Sequence, residues 1–454
     1  MNTELVTKYN IPGPRYTSYP TVPYWDEKGI AIEDWQRTVK EAFQVSNATE
    51  GISLYLHLPF CESLCTFCGC NKRITKNHSV EEVYIQAILK EWQLYRNLLD
   101  ETPVIKEIHL GGGTPTFFSP ENVSDLIRKI LAEAELAQEH YFSFEAHPNS
   151  TTVAHLKALN EVGFDRVSFG IQDFDPVVQQ VINRVQSYEQ VKAVTEAARN
   201  NGFTSVNYDI IYGLPLQKEA SIVDTIEKVK MLKPDRIAYY SYAHVPWIKG
   251  VGQRKFTEAD LPEGDVKRRL YEVGREMLQA MGYVEIGMDH FALPEDDLHL
   301  AMQEKRLHRN FMGYTAGKTR LQIGLGVSAI SDSWGSFAQN EKKLEDYYAR
   351  LQQNEIPVFR GHLLNQEDLV VRKHILNLMC HFETEVTQED KVWIPGEVIE
   401  QRLEEMLKDR LVEIEDNKIK VTVAGQTFIR NICMAFDLRF WRKQPQAQLF
   451  SMTV

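Results

Sequence analysis

The stretch Cys61-Glu62-Ser63-Leu64-Cys65-Thr66-Phe67-Cys68-Gly69-Cys70 holds four of the six cysteines of this chain. Cys61, Cys65 and Cys68 stand in C-x3-C-x2-C spacing, which lets one short loop bring three thiolates to a 4Fe-4S cluster. Three thiolates ligate three irons, so the fourth iron stays open to bind a small molecule and pass it an electron. The spacing therefore predicts a cluster that takes part in chemistry.

Two other kinds of cysteine site could use part of the same stretch. A structural zinc site usually has a second Cys/His pair at a distance, and the sequence shows no such pair. A thioredoxin-like redox pair would need only Cys65 and Cys68 and would leave Cys61 unused. We favour the iron–sulfur cluster over both.

Length and composition restrict the class of protein. The 454 residues suffice for one large domain and a smaller one, with 43% hydrophobic and 25% charged residues. The net charge of −12 argues against general binding to nucleic acid or to anionic membranes. No apolar run approaches membrane-spanning length, and residues 1–10 show no secretory signal. Cys380 and Cys433 lie far from the other cysteines, so we expect no disulfides and a cytoplasmic location.

Strand and helix patterns alternate through the first half of the chain. The predicted strands are 52–58, 105–110, 141–146, 166–171, 205–211 and 236–242, and the predicted helices are 79–99, one from Pro120, 151–162, 188–199 and 222–232. A capping box Ser79…Glu82 is expected to open the first helix, and Ser119 to cap the second. Six such units predict an α/β fold, a partial (βα)6 TIM-like barrel whose chemistry lies at the carboxyl ends of its strands.

The regular alternation of strand and helix patterns ends at about residue 243. A helix is predicted over 265–281 and a strand over 283–288, and the last part reads as helices 370–379, 399–409 and 426–435 with a hairpin at 412–421. That order resembles a winged helix, but no basic stripe supports DNA binding. We expect three parts: an N-terminal segment, 1–50, that reaches the active site; the catalytic barrel with its extension, 51–364; and a helical accessory domain, 365–454.

Two features beside the cysteines suggest a bound organic ligand. Gly111-Gly112-Gly113-Thr114-Pro115 directly follows a strand and lacks the Lys-Ser/Thr pair of a phosphate loop, so a backbone cradle for an amino-acid group is favoured over a bare turn. Phe67 could shield the cluster, face an adenine, or simply pack.

Together, the cysteine spacing, the glycine run and the strand-end Glu145 resemble the radical S-adenosylmethionine (SAM) superfamily. In that superfamily the open iron holds the amino and carboxylate groups of SAM. An electron from the cluster cleaves SAM to methionine and a 5′-deoxyadenosyl radical. The resemblance implies both cofactors for this chain.

A closer resemblance extends along nearly the whole chain, to the family of oxygen-independent coproporphyrinogen III oxidases (coproporphyrinogen dehydrogenases) of haem biosynthesis. It is carried by residues 13–21, 68–72, 170–174, 209–215, 242–244, 287–291, 308–311 and 430–434. It implies a radical SAM oxidoreductase that converts two propionates of coproporphyrinogen III to vinyl groups, giving protoporphyrinogen IX. The alternative is a haem-trafficking or other tetrapyrrole-acting radical SAM protein; such sister proteins share the three cysteines but lack Cys70 and the 15–21 segment.

The resemblance also implies roles for single residues. The cluster ligands would be Cys61, Cys65 and Cys68. The first SAM would be held by Tyr55, Phe67, Gly112, Glu145 and Ile330, with Glu145 on the ribose hydroxyls. A second SAM, a mark of this family, would be held by Gly113, Thr114, Gln172, Arg184, Asp209 and Ala243. Arg15, Tyr16 and Thr17 would assist the substrate step.

Further expectations concern partners and departures. A substrate with four carboxylates needs local cations, for which the candidates are Arg15, Lys72, Arg73, Arg184 and Arg309. We expect a monomer served by an electron donor and an acceptor that the sequence does not identify. Met312 stands where the family often has Gln, and His147 where it has an acid. Either change could alter the second SAM site.

Overall fold

The computed structural model describes residues 3–26, 28–245, 256–445 and 449–453. In chain order its strands are β1 (Ile52–Leu58), β2 (Phe60–Cys61), β3 (Arg73–Ile74), β4 (Val104–Gly112), β5 (Glu135–Ala146), β6 (Arg166–Gln172), β7 (Ser205–Tyr212), β8 (Arg236–Ser241), β9 (Val284–Gly287), β10 (His290–Ala292), β11 (His308–Asn310), β12 (Gly313–Thr315), β13 (Leu321–Leu325), β14 (Ile330–Asp332), β15 (Ser336–Asn340), β16 (Val358–Leu363), β17 (Glu383–Glu385), β18 (Val412–Glu415) and β19 (Lys418–Val421). Its α-helices are α1 (Thr3–Tyr9), α2 (Ile32–Ser46), α3 (Val80–Leu98), α4 (Pro120–Leu131), α5 (Val153–Asn160), α6 (Pro176–Val181), α7 (Tyr188–Asn200), α8 (Glu219–Leu232), α9 (Gly264–Ala280), α10 (Asp297–Gln303), α11 (Leu344–Gln352), α12 (Gln366–His381), α13 (Gly396–Lys408), α14 (Ile429–Phe436) and α15 (Leu438–Arg442). Short 3-10 helices span Val22–Tyr24, Pro115–Phe117, Glu258–Asp260, Asp390–Val392 and Gly425–Phe428.

One large sheet positions the site. Its strand order is β16-β15-β14-β13-β1-β4-β5-β6-β7-β8-β10-β9. The six strands β1 and β4 to β8 pair in parallel, which confirms the predicted (βα)6 arrangement. The sheet has further strands at both edges, which the sequence did not predict. Strand β13 pairs in parallel with β1, and antiparallel strands extend the sheet on both sides.

Buried strands and amphipathic helices explain this arrangement. Strands covered on both faces are expected to be apolar nearly throughout, and in β1 all residues but Tyr55 are buried. The main core joins such strands to their covering helices, and Leu54, Ile108, Phe144 and Ile210 are fully buried in it. The crossover helices therefore lie outside the sheet, and the strand ends are left free for the site.

The start of α4 follows the predicted cap, but the start of α3 does not. Ser119 Oγ accepts a hydrogen bond from the Asn122 N–H at 3.1 Å, as expected of an N-cap. The predicted capping box of Ser79 and Glu82 is wrong, because the Ser79 side chain makes no capping hydrogen bond. Glu81 instead accepts from the Ser119 N–H and from Asn122 Nδ2, both at 2.8 Å. The first turn of α3 is thus tied to α4.

The first fifty residues contribute to two cores. Trp35, Val39 and Phe43 of α2 are buried in the barrel core. Tyr9 and Tyr16 are buried instead among the C-terminal helices. The domain boundaries near residues 50 and 364 stay a prediction.

The C-terminal part is mainly helical, as predicted. Helices α12 to α15 pack around a small sheet with the order β17-β19-β18, which contains the predicted hairpin. In the described part of the chain, no helix is long and apolar enough to cross a bilayer.

Candidate active site

A cavity of about 840 Å³ lies at the carboxyl ends of the parallel strands. The cysteine loop after β1 borders it, and Gly112, Glu145 and Gln172 reach it from the ends of β4, β5 and β6. This edge is where a TIM-like barrel places its chemistry, so the location agrees with the sequence.

Eleven of the predicted site residues line this cavity. They are Cys61, Cys65, Phe67, Cys68, Gly112, Gly113, Thr114, Glu145, Gln172, Arg184 and Asp209. Six others are not among the lining residues: Arg15, Tyr16, Thr17, Tyr55, Ala243 and Ile330.

The three thiols have polar neighbours. Cys61 Sγ lies 3.3 Å from Thr114 Oγ1, and Arg184 Nη1 donates to Cys65 Sγ at 3.7 Å. Burial raises the pKa of Cys61 to about 11. The hydrogen bond with the neighbouring Cys70 thiol lowers the pKa of Cys68 to about 6. A cluster would bind all three as thiolates.

Contacts from other elements hold the cysteine loop in place. Thr66 donates through its N–H to Ile182 O and through its hydroxyl to Val181 O, both at 2.9 Å. His57 Nε2 lies 2.8 Å from Asn71 O at the end of the loop. Helix α6 and strand β1 thus fix the loop from two sides.

The donors around the cavity do not form a site for a single ion. Among the residues the structure describes, no three His, Cys, Asp or Glu side chains are grouped to hold one metal ion. This gives no support to a zinc site, which needs its ligands about 2.0–2.3 Å from one ion. Cys61, Cys65 and Cys68 all line the cavity, and their C-x3-C-x2-C spacing suits a 4Fe-4S cluster.

The glycine run allows the backbone to approach the cysteine loop closely. A Cβ at Gly113 would lie 2.6 Å from the carbonyl carbon of Pro59, and one at Gly112 would lie 2.6 Å from the His57 ring. Gly112 also has a φ of +109°, which favours glycine. The Gly113 N–H donates to Leu58 O at 2.8 Å. Only glycine fits at these two positions, because both pack tightly against β1 and the start of the cysteine loop.

Glu145 presents a charged carboxylate to the cavity. It accepts a hydrogen bond from the Gly112 N–H at 3.2 Å, and His109 Nε2 lies 3.7 Å from its Oε1. Burial favours the neutral acid, but the adjacent His109 and the Gly112 N–H outweigh it and hold the pKa of Glu145 below its usual value. Tyr55 stacks on His109 with ring centres 6.0 Å apart, and so helps to position the imidazole that lies next to Glu145.

Gln172 and Arg184 have polar atoms without a protein partner. Gln172 has a φ of +66°, and its buried Oε1 makes no hydrogen bond. Arg184 Nη2 donates to Gly170 O at 2.6 Å, whereas its buried Nε has no partner. Buried polar groups are nearly always paired, so these atoms fit a bound ligand.

Asp209 is held by one donor from the neighbouring strand β6 and one from its own strand β7. It accepts from Ser168 Oγ at 3.0 Å and from Asn207 Nδ2 at 2.9 Å. Burial, together with the charge of Glu145, raises the pKa of Asp209 to about 6.

Two of the predicted SAM-binding residues, Ile330 and Ala243, lie outside the cavity wall. Ile330 opens β14, and its backbone approaches Gly324, which pairs with Tyr55 across the β1–β13 register. Ala243 follows β8 and is exposed. Neither position tests the role that the resemblance implies.

The N-terminal residues form contacts beyond the cavity. Arg15 forms an ion pair with Asp289 and lies near the Tyr240 phenol, which does line the cavity. Tyr16 is buried, and its hydroxyl donates to Asp437 Oδ2 at 3.0 Å. Arg15 therefore lies beside the site, whereas Tyr16 is joined to the C-terminal part.

The cavity wall also includes residues to which the sequence assigned no role, among them Ser168 and Tyr240, and it includes His147, named above only as a departure from the family pattern. Strand alternation could have found Ser168, since it lies two residues before Gly170 on the same face of β6. Burial, with the charge of Arg184, lowers the pKa of His147 to about 3, so this imidazole is neutral.

Comparisons with known proteins agree with this site. A family model described as the radical SAM superfamily matches residues 55–229. The chain is 38% identical over 459 residues to oxygen-independent coproporphyrinogen III oxidase of Escherichia coli, covering 99% of this chain and 98% of the relative. The enzyme of the same name from Pseudomonas aeruginosa is 36% identical, with 96% and 95% covered.

A solved structure extends the likeness to the fold. Coproporphyrinogen III oxidase from Escherichia coli, a radical SAM enzyme, superposes with a TM-score of 0.88 at 35% identity, over 96% of this chain and 98% of that one. With the cysteine loop, the glycine run and the parallel barrel in place, the chain belongs to the radical SAM family of oxygen-independent coproporphyrinogen III oxidases.

Proposed function

We propose that this protein catalyses the oxygen-independent oxidative decarboxylation of coproporphyrinogen III to protoporphyrinogen IX in haem biosynthesis. The observation that carries the proposal is that three cysteine thiols, two glycines of the glycine run and the ionised Glu145 border one cavity. The full-length similarity to enzymes of this name supports the same activity.

The residues of the cavity fit a 4Fe-4S cluster and SAM. Cys61, Cys65 and Cys68 would hold the cluster, and the backbone at Gly112 and the Glu145 carboxylate would hold SAM. When bound, the two groups together supply a carbon-centred radical that can remove hydrogen from an unactivated C–H bond. The unpartnered atoms of Gln172 and Arg184 would receive the second SAM, together with Gly113, Thr114, Asp209 and Ala243.

The protein's own contribution is to bind and orient the tetrapyrrole and to exclude water. Lys72 lines the cavity and can pair with a propionate. Arg184 also lines it, but its one unpartnered nitrogen is the one assigned above to the second SAM. Arg73 is exposed and lies 3.9 Å from Glu345, outside the cavity, so it is a weaker candidate. The substrate loses one hydrogen, one electron and CO2 for each vinyl group formed, so two propionates require two such cycles.

The N-terminal segment would act on the substrate from its edge. Arg15 interacts electrostatically with the Tyr240 phenol, which lines the cavity, and closure of the segment over the site would bring the Arg15 guanidinium to the substrate. We propose that residues 1–50 serve this closure and that residues 365–454 hold them in place. The protein would act as a monomer with an electron donor and an acceptor. Its six free thiols support a reducing compartment such as the cytoplasm.

Anaerobic reconstitution with iron and sulfide, followed by incubation with reductant, SAM and coproporphyrinogen III, tests the proposal. We expect protoporphyrinogen IX, 5′-deoxyadenosine and two CO2 per substrate. Tight haem binding without CO2 release would favour a haem carrier and contradict the proposal. A Cys65→Ala variant is the control and should form no product.

A further inference from the structure

A second chamber of about 260 Å³ lies deeper inside the barrel. It shares Glu145, Ser168, Asp209 and Tyr240 with the cavity beside the cysteines, so the two spaces adjoin. Its other walls include Arg166 and Arg236, the first residues of β6 and β8. The chamber therefore extends from the cysteine cavity towards the amino ends of the strands.

Donors without partners gather around this chamber. Arg236 donates through Nε to Asp296 at 2.7 Å, but its buried Nη2 makes no hydrogen bond. The buried Nδ1 of His290 also has no partner. His290 pairs with Ala238 across the β8–β10 register, so it lies between Arg236 and Tyr240 on the chamber wall.

Arg309 adds a cation just behind this wall. Its guanidinium lies 4.5 Å from the centre of the Tyr314 ring, and Tyr314 lines the chamber. Only 5% of Arg309 is exposed, and its Nε and Nη1 have no hydrogen-bond partner. Within the described residues Arg309 forms no ion pair, so its charge is balanced only by the ring face and by more distant groups. Arg309 also lies near His290.

The acids of the chamber already have partners. Glu107 accepts from Ser53 Oγ at 2.7 Å and from Thr315 Oγ1 at 2.9 Å, and Asp209 is held by two donors of its own. The groups left without partners are therefore Arg236 Nη2, His290 Nδ1, which donates in one tautomer of the neutral ring, and the Arg309 cation. Clusters of unpaired buried donors are rare in folded proteins and indicate a ligand that accepts hydrogen bonds and carries negative charge.

We propose that the inner chamber binds a carboxylate, namely a propionate of the tetrapyrrole other than the one being decarboxylated. Arg236 and His290 would donate to it, and Arg309 would supply the compensating charge. This inference rests on the proposed function, because a substrate with four propionates must place some of them away from the radical. The chamber is too small for the whole macrocycle, which would stay in the larger cavity.

Equilibrium binding tests this assignment without relying on turnover. Anaerobic titration of coproporphyrinogen III gives its Kd for the wild type and for Arg309→Met and Arg309→Lys. We expect the Met variant to bind about tenfold or more weakly, because the carboxylate loses a nearby buried positive charge, and the Lys variant, which keeps a positive charge, to bind in between. SAM binding should not change in either variant.

Stability separates this role from a structural one. Removing an unpaired buried cation should leave the melting temperature unchanged or raise it. The control is Arg402→Met, which removes a guanidinium that stacks on Trp441 at 4.9 Å in the C-terminal part and should leave the Kd unchanged. A lower melting temperature with an unchanged Kd for Arg309→Met would overturn the proposal.

The ligand itself gives the decisive comparison. With the tetra-amide of the substrate, the wild type and Arg309→Met should bind equally, because no carboxylate is left to lose. A weaker affinity for SAM alone would instead place the cofactor's carboxylate in the chamber and contradict the proposal. If the wild type binds the tetrapyrrole but releases no CO2, the proposed function fails, while the Kd values still decide the role of the chamber.

Discussion

Arg15, fifteen residues into the chain, forms an ion pair with Asp289, which directly precedes the first residue of β10. The pair joins the N-terminal segment to the barrel beside Tyr240, at the edge of the active-site cavity. It also lines a small pocket of about 50 Å³ with Arg430 and Tyr212. The N-terminal segment is therefore fixed next to the site by a specific contact.

Arg15→Ala should leave the cluster intact and lower turnover. Arg15 touches none of the three cysteines, so iron and sulfide content should equal that of the wild type. Loss of its contribution to the substrate step should reduce kcat/KM by about tenfold or more, the equivalent of about 1.4 kcal/mol. Arg37→Ala, which removes an exposed guanidinium of α2, is the control. Normal turnover of Arg15→Ala would refute its assigned role.

Arg430→Met should release the N-terminal segment. The buried Arg430 donates to the carbonyls of Gly13, Pro14 and Met452, and so joins the segment before Arg15 to the end of the chain. Each buried carbonyl left unpaired costs about 1–3 kcal/mol. We expect a lower melting temperature and faster proteolysis within the first twenty or so residues. Unchanged proteolysis would show that Arg430 does not hold the segment.

Gly113→Ala should disrupt the site because the added methyl group would meet backbone. Its Cβ would lie 2.6 Å from the Pro59 carbonyl carbon, which cannot move without shifting the start of the cysteine loop. Overpacking of this kind costs about 1–3 kcal/mol. SAM cleavage should fall sharply. Gly396→Ala is the matched control, since its Cβ would meet nothing closer than 3.7 Å, and it should behave like the wild type.

The sequence predicted the barrel and the cavity edge because both depend on local patterns. Six apolar strand runs, the glycines at the end of β4 and the Ser119 cap can be predicted from neighbouring residues. The failed cap at Ser79 shows the limit of that reading. Glu81 accepts hydrogen bonds from two donors of α4 and its N-cap that are distant in sequence. No pattern of neighbouring residues predicts such a long-range contact.

Long-range pairing hid other parts of the fold and site. Strand β13 joins β1 from more than 250 residues away, and its short run of five residues carries no signal for that partner. Helix α6, which anchors the cysteine loop through Thr66, is likewise too short to predict. Ile330 was assigned by resemblance alone, and only the structure shows that it is not among the residues that line the cavity.

The buried Glu91 should make stability depend on pH. It is fully buried, and desolvation raises its pKa from 4.5 to about 7 although Tyr347, Gly326 and Asn340 donate to it. A raised carboxyl pKa favours the folded state while the group is protonated. Its contribution is full below about pH 4.5 and is lost as pH rises through about 7, a total of about 3 kcal/mol at about 1.4 kcal/mol per unit.

The measurement compares Glu91→Gln with the wild type in urea unfolding at several pH values. The difference in unfolding free energy between the two proteins should shift in favour of the variant as pH rises from 4.5 to 7.5. A difference independent of pH would show that Glu91 is already ionised in the folded protein.

The central claim is that three cysteines hold a cluster whose open iron binds SAM. Electron paramagnetic resonance of the anaerobically reconstituted, reduced protein tests it most directly, with and without SAM. We predict a signal of a reduced 4Fe-4S cluster that changes on addition of SAM and is absent in Cys61→Ala. Protein that carries zinc, or a cluster whose signal is indifferent to SAM, would contradict the account.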